Sequence, residues 1–146
     1  MDNLKLRKAT PADSEFAYRT KKAAFGQYVE QVWGWDEEEQ RRLHSRRFSS
    51  QDFSVIQLSG ADVGIMAIVQ ETDCVKLNQI FILPEYQGRG IGMACTKRVI
   101  EDAAAAGLSV RLQVLKVNNR AIAFFQKSGF KKVGESDTHI RMERPS

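Results

Sequence analysis

Cysteine, histidine and proline are scarce in this chain of 146 residues, which has two, two and three of them. The cysteines, Cys74 and Cys95, show no CxxC spacing, so neither a zinc site nor a disulfide framework is indicated. Adding His44 and His139 builds no metal cluster by spacing, and no metal is expected. Free thiols fit a reducing compartment, so a cytoplasmic location is the expectation. No apolar run approaches the length of a membrane span, and the opening residues Met1–Arg7 lack the apolar stretch of a secretory leader. A membrane partner is therefore not expected. Charge of one sign is also in short supply: 22 Lys+Arg against 18 Asp+Glu leaves a formal +4. The basic pairs Lys21-Lys22, Arg41-Arg42 and Arg46-Arg47 are short and scattered, unlike the dense stripe of a nucleic-acid binder, so nucleic acid is not expected as a partner. Linkers, repeats and low-complexity segments are missing, and residues 1–146 read as one domain with one core.

What is present is a regular alternation of elements. Leu4–Lys8 alternates as a strand does. Thr10-Pro11-Ala12-Asp13 starts a helix, with Thr10 as N-cap and Pro11 in the first turn. A second helix starts at Asp36, with Glu39 placed as in a capping box, and runs to about Phe48. Phe53–Leu58 and Val63–Glu71 are strands around the turn Ser59-Gly60-Ala61-Asp62, and Cys74–Leu83 is a third. Ile91, Cys95, Val99 and Ala103 recur every four residues on a helix that Gly107 ends. Leu108–Leu115 follows as a strand, Ala121–Lys127 as a short helix, and Phe130–Val133 and His139–Glu143 as strands. The order β-α-α-β-β-β-α-β-α-β-β predicts an α/β chain with a mixed sheet, in which the central strand-helix-strand unit supplies a parallel pair.

The chemistry centres on Leu83-Pro84-Glu85-Tyr86-Gln87-Gly88-Arg89-Gly90-Ile91-Gly92, between a strand and the start of a helix. A helix start offers free N–H groups and the positive end of the dipole, which suits phosphate. Glycines allow close backbone approach and positive φ. Their spacing does not fit a dinucleotide fingerprint, and the lack of G-K-[ST] excludes a nucleotide P-loop. Taken alone, the cluster also fits a turn that merely starts a helix.

Gln87-x-x-Gly90-x-Gly92 resembles the Q/R-x-x-G-x-G/A coenzyme A signature of the GNAT N-acetyltransferases. A second stretch, Leu112-x-Val114-x-x-x-Asn118-x-x-Ala121-x-x-Phe124-Phe125-x-x-x-Gly129-Phe130, resembles another signature of that family, and the element order matches too. The resemblance implies an acyl-CoA N-acyltransferase fold: a central mixed sheet with a splayed parallel strand pair and flanking helices. It implies acetyl-CoA as co-substrate. The backbone of Ile80, Phe81, Ile82 and Leu83 would pair with the pantetheine arm. The amides of Gly88, Arg89, Gly90, Ile91 and Gly92 would take the pyrophosphate, with Gln87 at the head of the loop. Asn118 matches a family Asn that contacts pantetheine, and it also reads as a helix N-cap.

Direct attack of an amine on the thioester needs a neutral amine, a stabilised oxyanion and a protonated thiolate. Where the family often has a Glu base, this chain has Lys76, Asn78 and Gln79; where it often has a Tyr acid, this chain has Phe125. Tyr28, Asn78 and His139 are the local candidates for catalytic roles. The segment Phe25–Asp36 reads as the link between the first two helices, and in the resembling fold it walls the acceptor site opposite the loop Glu135–His139. Tyr28, Glu30 and Trp33 are the candidate acceptor-binding residues, although Trp33 and Trp35 also read as cover for the core. The expected partner is a small-molecule or peptide amine, with a homodimer by analogy. The competing reading is a coenzyme A-binding module without turnover.

Overall fold

A computed structural model describes residues 3–146. The strands are β1 (Leu4–Lys8), β2 (Asp52–Leu58), β3 (Ala61–Gln70), β4 (Cys74–Ile82), β5 (Ser109–Leu115), β6 (Lys131–Glu135) and β7 (His139–Arg144). The helices are α1 (Ser14–Trp33), α2 (Glu37–Ser50), α3 (Ile91–Ala105) and α4 (Asn119–Lys127). Their order along the chain is the one the sequence predicts. The strands form a seven-stranded mixed sheet in the order β1-β2-β3-β4-β5-β7-β6. Its parallel ladder joins β4 to β5, with Cys74 to Lys76 registered on Ser109 to Arg111. Residues 1–68 with 79–92 form one compact unit, and 69–78 with 93–146 form another.

In the first unit, β1 leads into a 3-10 turn at Pro11–Asp13 and then α1. Asp13 accepts from the Thr10 amide at 2.8 Å and from both guanidinium nitrogens of Arg7 at 2.8 Å, which fixes the angle at which the chain enters the helix. The helix α1 is longer than the sequence suggests. It runs through Phe25 and Tyr28 to Trp33, so most of the expected linker is helical. Val29 is buried one turn beyond Phe25, and this packing carries the helix past Gly26. Gly34, at φ 78°, ends it, with its amide donating to the Glu30 carbonyl at 3.0 Å. Asp36 caps α2 by accepting from the Glu39 amide at 3.0 Å. Ser59 and Gly60 both take positive φ in the two-residue hairpin between β2 and β3. Ala17, Phe53, Ile65 and Ala67 make a buried cluster against which Phe16, Phe48 and Phe81 pack. Gly64 faces β4 so closely that a Cβ there would lie 2.6 Å from the Phe81 carbonyl oxygen.

In the second unit, Cys95, Val99 and Ala103 form the buried face of α3, as their spacing predicts. Val110, Leu112, Val114 and Leu115 of β5 are buried, as are Met142 of β7 and Phe125 and Phe130 at either end of the turn after α4. The strand β5 pairs with β7 from Val110↔Arg144 to Leu115↔His139. The last strand in the order is β6, whose register on β7 shifts between Lys132 and Gly134, leaving Val133 exposed.

Candidate functional site

The loop after β4 is built by short-range bonds. The Leu83 amide donates to the Val63 carbonyl at 2.9 Å, and Pro84–Tyr86 forms a 3-10 turn closed by Tyr86 N–H to the Leu83 carbonyl at 2.9 Å. Gln87 then folds back, its Nε2 donating to the Ile82 carbonyl at 2.9 Å. Gly88 and Gly90 take φ of 76° and 82°, and nothing lies within 4 Å of where a Cβ would stand on either. Both are exposed, and among the described residues the amides of Gly88, Arg89 and Gly90 donate to no other backbone group. Ile91 begins α3 with its side chain buried, and no acid stands in the first turn. The result is an open cradle of amides at a positive helix end, which fits a pyrophosphate. The Arg89 guanidinium lies 5.1 Å from the Tyr86 ring centre and donates to the Glu85 carbonyl at 3.1 Å, so its charge is held at the same loop.

The candidate strand residues Ile80, Phe81, Ile82 and Leu83 are half-buried. Phe81 stacks at 5.0 Å on Phe25 of α1, which in turn lies 5.9 Å from Tyr28. The first unit thus brings Tyr28 together with the end of β4 through an aromatic relay. Glu30 is used otherwise: its Oε2 accepts from the Trp35 amide at 2.7 Å, which closes the end of α1. Trp33 is the last residue of α1 and is 58% exposed. Trp35 packs 6.2 Å from Tyr18 and donates its Nε1 to Glu37 at 2.8 Å, so it covers the core.

The other candidates belong to the second unit. Asn78 is exposed on β4. Asn118 is 8% exposed and caps α4, its Oδ1 accepting from the Ala121 amide at 3.1 Å. Phe125 packs edge-on to Phe124 at 5.1 Å and to Phe130 at 5.5 Å. His139 is half-buried at the start of β7, with Nδ1 2.8 Å from the Thr138 hydroxyl. Burial lowers its pKa, which favours the neutral ring at pH 7.

A model of the acetyltransferase (GNAT) family matches residues 16–130. The chain belongs to the GNAT acetyltransferase family. An uncharacterised N-acetyltransferase of Methanocaldococcus jannaschii is 32% identical over 88 residues, 55% of this chain and 39% of that protein. The thialysine N-epsilon-acetyltransferase of Mus musculus is 38% identical over 64 residues, 43% of this chain and 38% of that protein. This GNAT chain therefore matches less than half the length of either relative. The fold is that of the PaiA N-acetyltransferase of Thermoplasma acidophilum, solved in complex with coenzyme A, at a TM-score of 0.81 and 17% identity over 98% of this chain and 99% of that one. A GNAT acetyltransferase of Elizabethkingia anophelis with acetyl-CoA bound gives 0.76 and 14% over 100% of each.

Sequence reading missed the relay from Phe81 through Phe25 to Tyr28, because it set Phe25 at the end of the first helix's apolar stripe and Tyr28 in the linking segment after it; the i, i+3 spacing of those two on a helix was the available signal. It also missed a recess of about 660 Å³ lined by Thr10, Ser14, Phe48, Gln51 and Phe53, among others. None of the predicted site residues lines it. No group that would hold a metal occurs among the described residues, and no helix among them is long and apolar enough to cross a membrane.

Proposed function

We propose that residues 1–146 are one N-acetyltransferase domain that transfers acetyl from acetyl-CoA to a primary amine of a small molecule or peptide. The observation that carries this reading is the amide cradle at Gly88–Gly92, with two positive-φ glycines opening onto the start of α3. In this reading the cradle binds the pyrophosphate, Gln87 holds the loop in register, and the Ile80–Leu83 backbone orients the pantetheine arm. Asn118 and Phe125 add contacts to that arm. The names of the mouse relative and of a Salmonella typhimurium peptidyl-lysine N-acetyltransferase, 32% identical over 75 residues, support a primary amine as acceptor.

Acetyl-CoA, when bound, supplies an activated acyl carbon. The acceptor nitrogen attacks that carbon directly; a C–N bond forms, the C–S bond breaks, and the electron pair leaves on sulfur. His139 is the residue proposed to take the amine proton, which its neutral ring can accept, and Asn78 is proposed to orient the amine by hydrogen bonding. The Tyr28 hydroxyl is proposed to return a proton to the thiolate. Tyr28, Trp33 and Glu30 flank the acceptor, Glu30 chiefly by fixing the end of α1.

A second reading, a coenzyme A-binding module without turnover, draws on the packed phenyl ring of Phe125 and the amide of Asn78, neither of which is an acid or a base. Thioester consumption across an amine panel, run beside a coenzyme A thermal-shift titration, separates the two. Consumption with at least one amine supports the enzyme. A shift without consumption favours the binding module, and no shift overturns both.

A further inference from the structure

The recess of about 660 Å³ is walled by the C-terminal end of α2 and the start of β2, where Phe48, Ser49, Ser50, Gln51, Asp52 and Phe53 all line it. From there β2 runs to the hairpin at Ser59-Gly60, where β3 begins. The Val63 carbonyl of β3 takes the Leu83 amide at the head of the glycine loop. The recess and the cradle are therefore set apart by the length of β2, seven residues or roughly 20 Å.

The uncharged polar groups of this wall are acceptors. Gln51 Oε1 is buried without a hydrogen-bond partner, and among the described residues it is the one such side-chain atom on this lining. The hydroxyls of Ser49 and Ser50 spend their protons on the helix, donating to the Ser45 and Arg46 carbonyls at 3.0 Å each, so their oxygens are left to accept. The carbonyls of Phe48, Ser49 and Ser50 accept from no backbone amide among the described residues, and they carry the negative end of the α2 dipole. Lys8 and Asp52 are the charged residues of the lining, both exposed, and their charges offset each other. The acceptors and the dipole thus decide which ligand the recess suits. Phe48 and Phe53, with ring centres 5.0 Å apart, supply its apolar part, and the buried His44 ring braces them at 5.5 and 6.1 Å.

Acceptors beside two aromatic rings call for a ligand with N–H donors, positive charge and an apolar body. We propose that the recess is a second ligand site, distinct from the coenzyme A cradle, which takes an organic ammonium. The N–H groups of such a ligand meet Gln51 Oε1 and the end of α2, and its carbon body lies on Phe48 and Phe53. A buried acceptor left without a donor is costly, and the ligand removes that cost. The site does not depend on the acetyl-transfer reading.

The test is an amide NMR titration of the full chain with benzylammonium, benzyl alcohol and benzoate at constant ionic strength. The three probes share a ring and differ in charge. Benzylammonium is expected to shift the amides of Thr10 and residues 45–53 and to saturate, whereas benzoate should leave them in place. Gln51→Leu should weaken benzylammonium roughly three- to tenfold and, having lost a buried unpaired acceptor, should melt no lower than the native chain. Asp52→Asn changes an exposed side chain and should weaken binding severalfold with melting unchanged. Asp102→Asn, exposed on α3, should bind as the native chain does. Equal shifts with benzoate, or native affinity in both Gln51→Leu and Asp52→Asn, overturn the site. So do shifts that gather at residues 28–36 or 80–92 in place of the recess.

A second arm repeats the benzylammonium titration with coenzyme A at saturation. Unchanged affinity at the recess supports two distinct sites, and loss of binding there overturns that distinctness. Both arms read binding and its position, so a failure of acetyl transfer in the thioester assay does not decide them.

Discussion

The Gln87 side chain ties the glycine loop to the strand it leaves, its Nε2 donating to the Ile82 carbonyl at 2.9 Å. The bond holds the turn in the shape that presents the amides of Gly88 to Gly90. A hydrogen bond of this kind is worth about 0.5–1.5 kcal/mol net, and 1.4 kcal/mol is tenfold in affinity. Gln87→Ala should therefore weaken coenzyme A binding by roughly three- to tenfold while the fold is retained. Calorimetric titration checks this; unchanged affinity would show that the loop keeps its shape without Gln87.

Coenzyme A is expected to raise the melting temperature, whereas NAD and ATP at equal concentration should not. Gly90→Val should abolish the effect. At φ 82° a residue with a Cβ is strained by about 1–2 kcal/mol, and a branched side chain would stand over the cradle. A folded Gly90→Val chain with a native response to coenzyme A would leave the loop with a structural role alone.

Phe125 is 8% exposed between two other phenyl rings, so Phe125→Ala should cost about 3–5 kcal/mol of stability in chemical denaturation. Phe125→Tyr should fold and leave turnover unchanged or modestly raised. Tyr28→Phe should lower kcat, by up to about 10²–10⁴-fold if its hydroxyl is the proton donor, with little change in coenzyme A affinity. Full activity in Tyr28→Phe would leave water as the donor.

Acid should unfold the chain in two stages. Burial, opposed by the bond to the Ser14 carbonyl, lowers the His44 pKa below its ordinary 6.5, with Lys21 and Arg41 adding to the shift and Glu15 opposing it. The stability tied to neutral His44 is present above pH 6.5 and is lost as pH falls from there through the folded value. The hydrogen bonds from Arg7 hold Asp13 far below its ordinary 3.8, so its contribution survives the first stage and is lost below about pH 4. Melting curves from pH 7 to pH 3 should show His44→Gln flattening the upper limb. Asp13→Asn should be less stable at pH 7, with the gap closing below pH 4. A constant gap would mean that the Arg7–Asp13 pair does not couple to folding.

The order of elements and the loop were legible in the sequence because their signals are local. Thr10-Pro11, Asp36 with Glu39, Ser59-Gly60 and the glycines at 88, 90 and 107 each dictate their own backbone. The length of α1 was not legible, since Gly26 and two tryptophans look like a linker and only the burial of Val29 shows otherwise. The use of Glu30 was also hidden, because its partner is a backbone amide five residues on, which side-chain identities do not encode. Both readings of Asn118 were open, and the structure displays the cap.

The outermost strands of the sheet carry a consequence for self-association. An uncapped strand edge is a template for another strand, and lysines and bulges discourage such growth. The strand β1 carries Lys5 and Lys8 exposed; β6 carries Lys131 and Lys132 exposed and is broken by its register shift before Gly134. Both ends of the ladder thus carry charge that would face like charge in a strand-to-strand pairing of two copies, which disfavours growth of the sheet from one chain into the next.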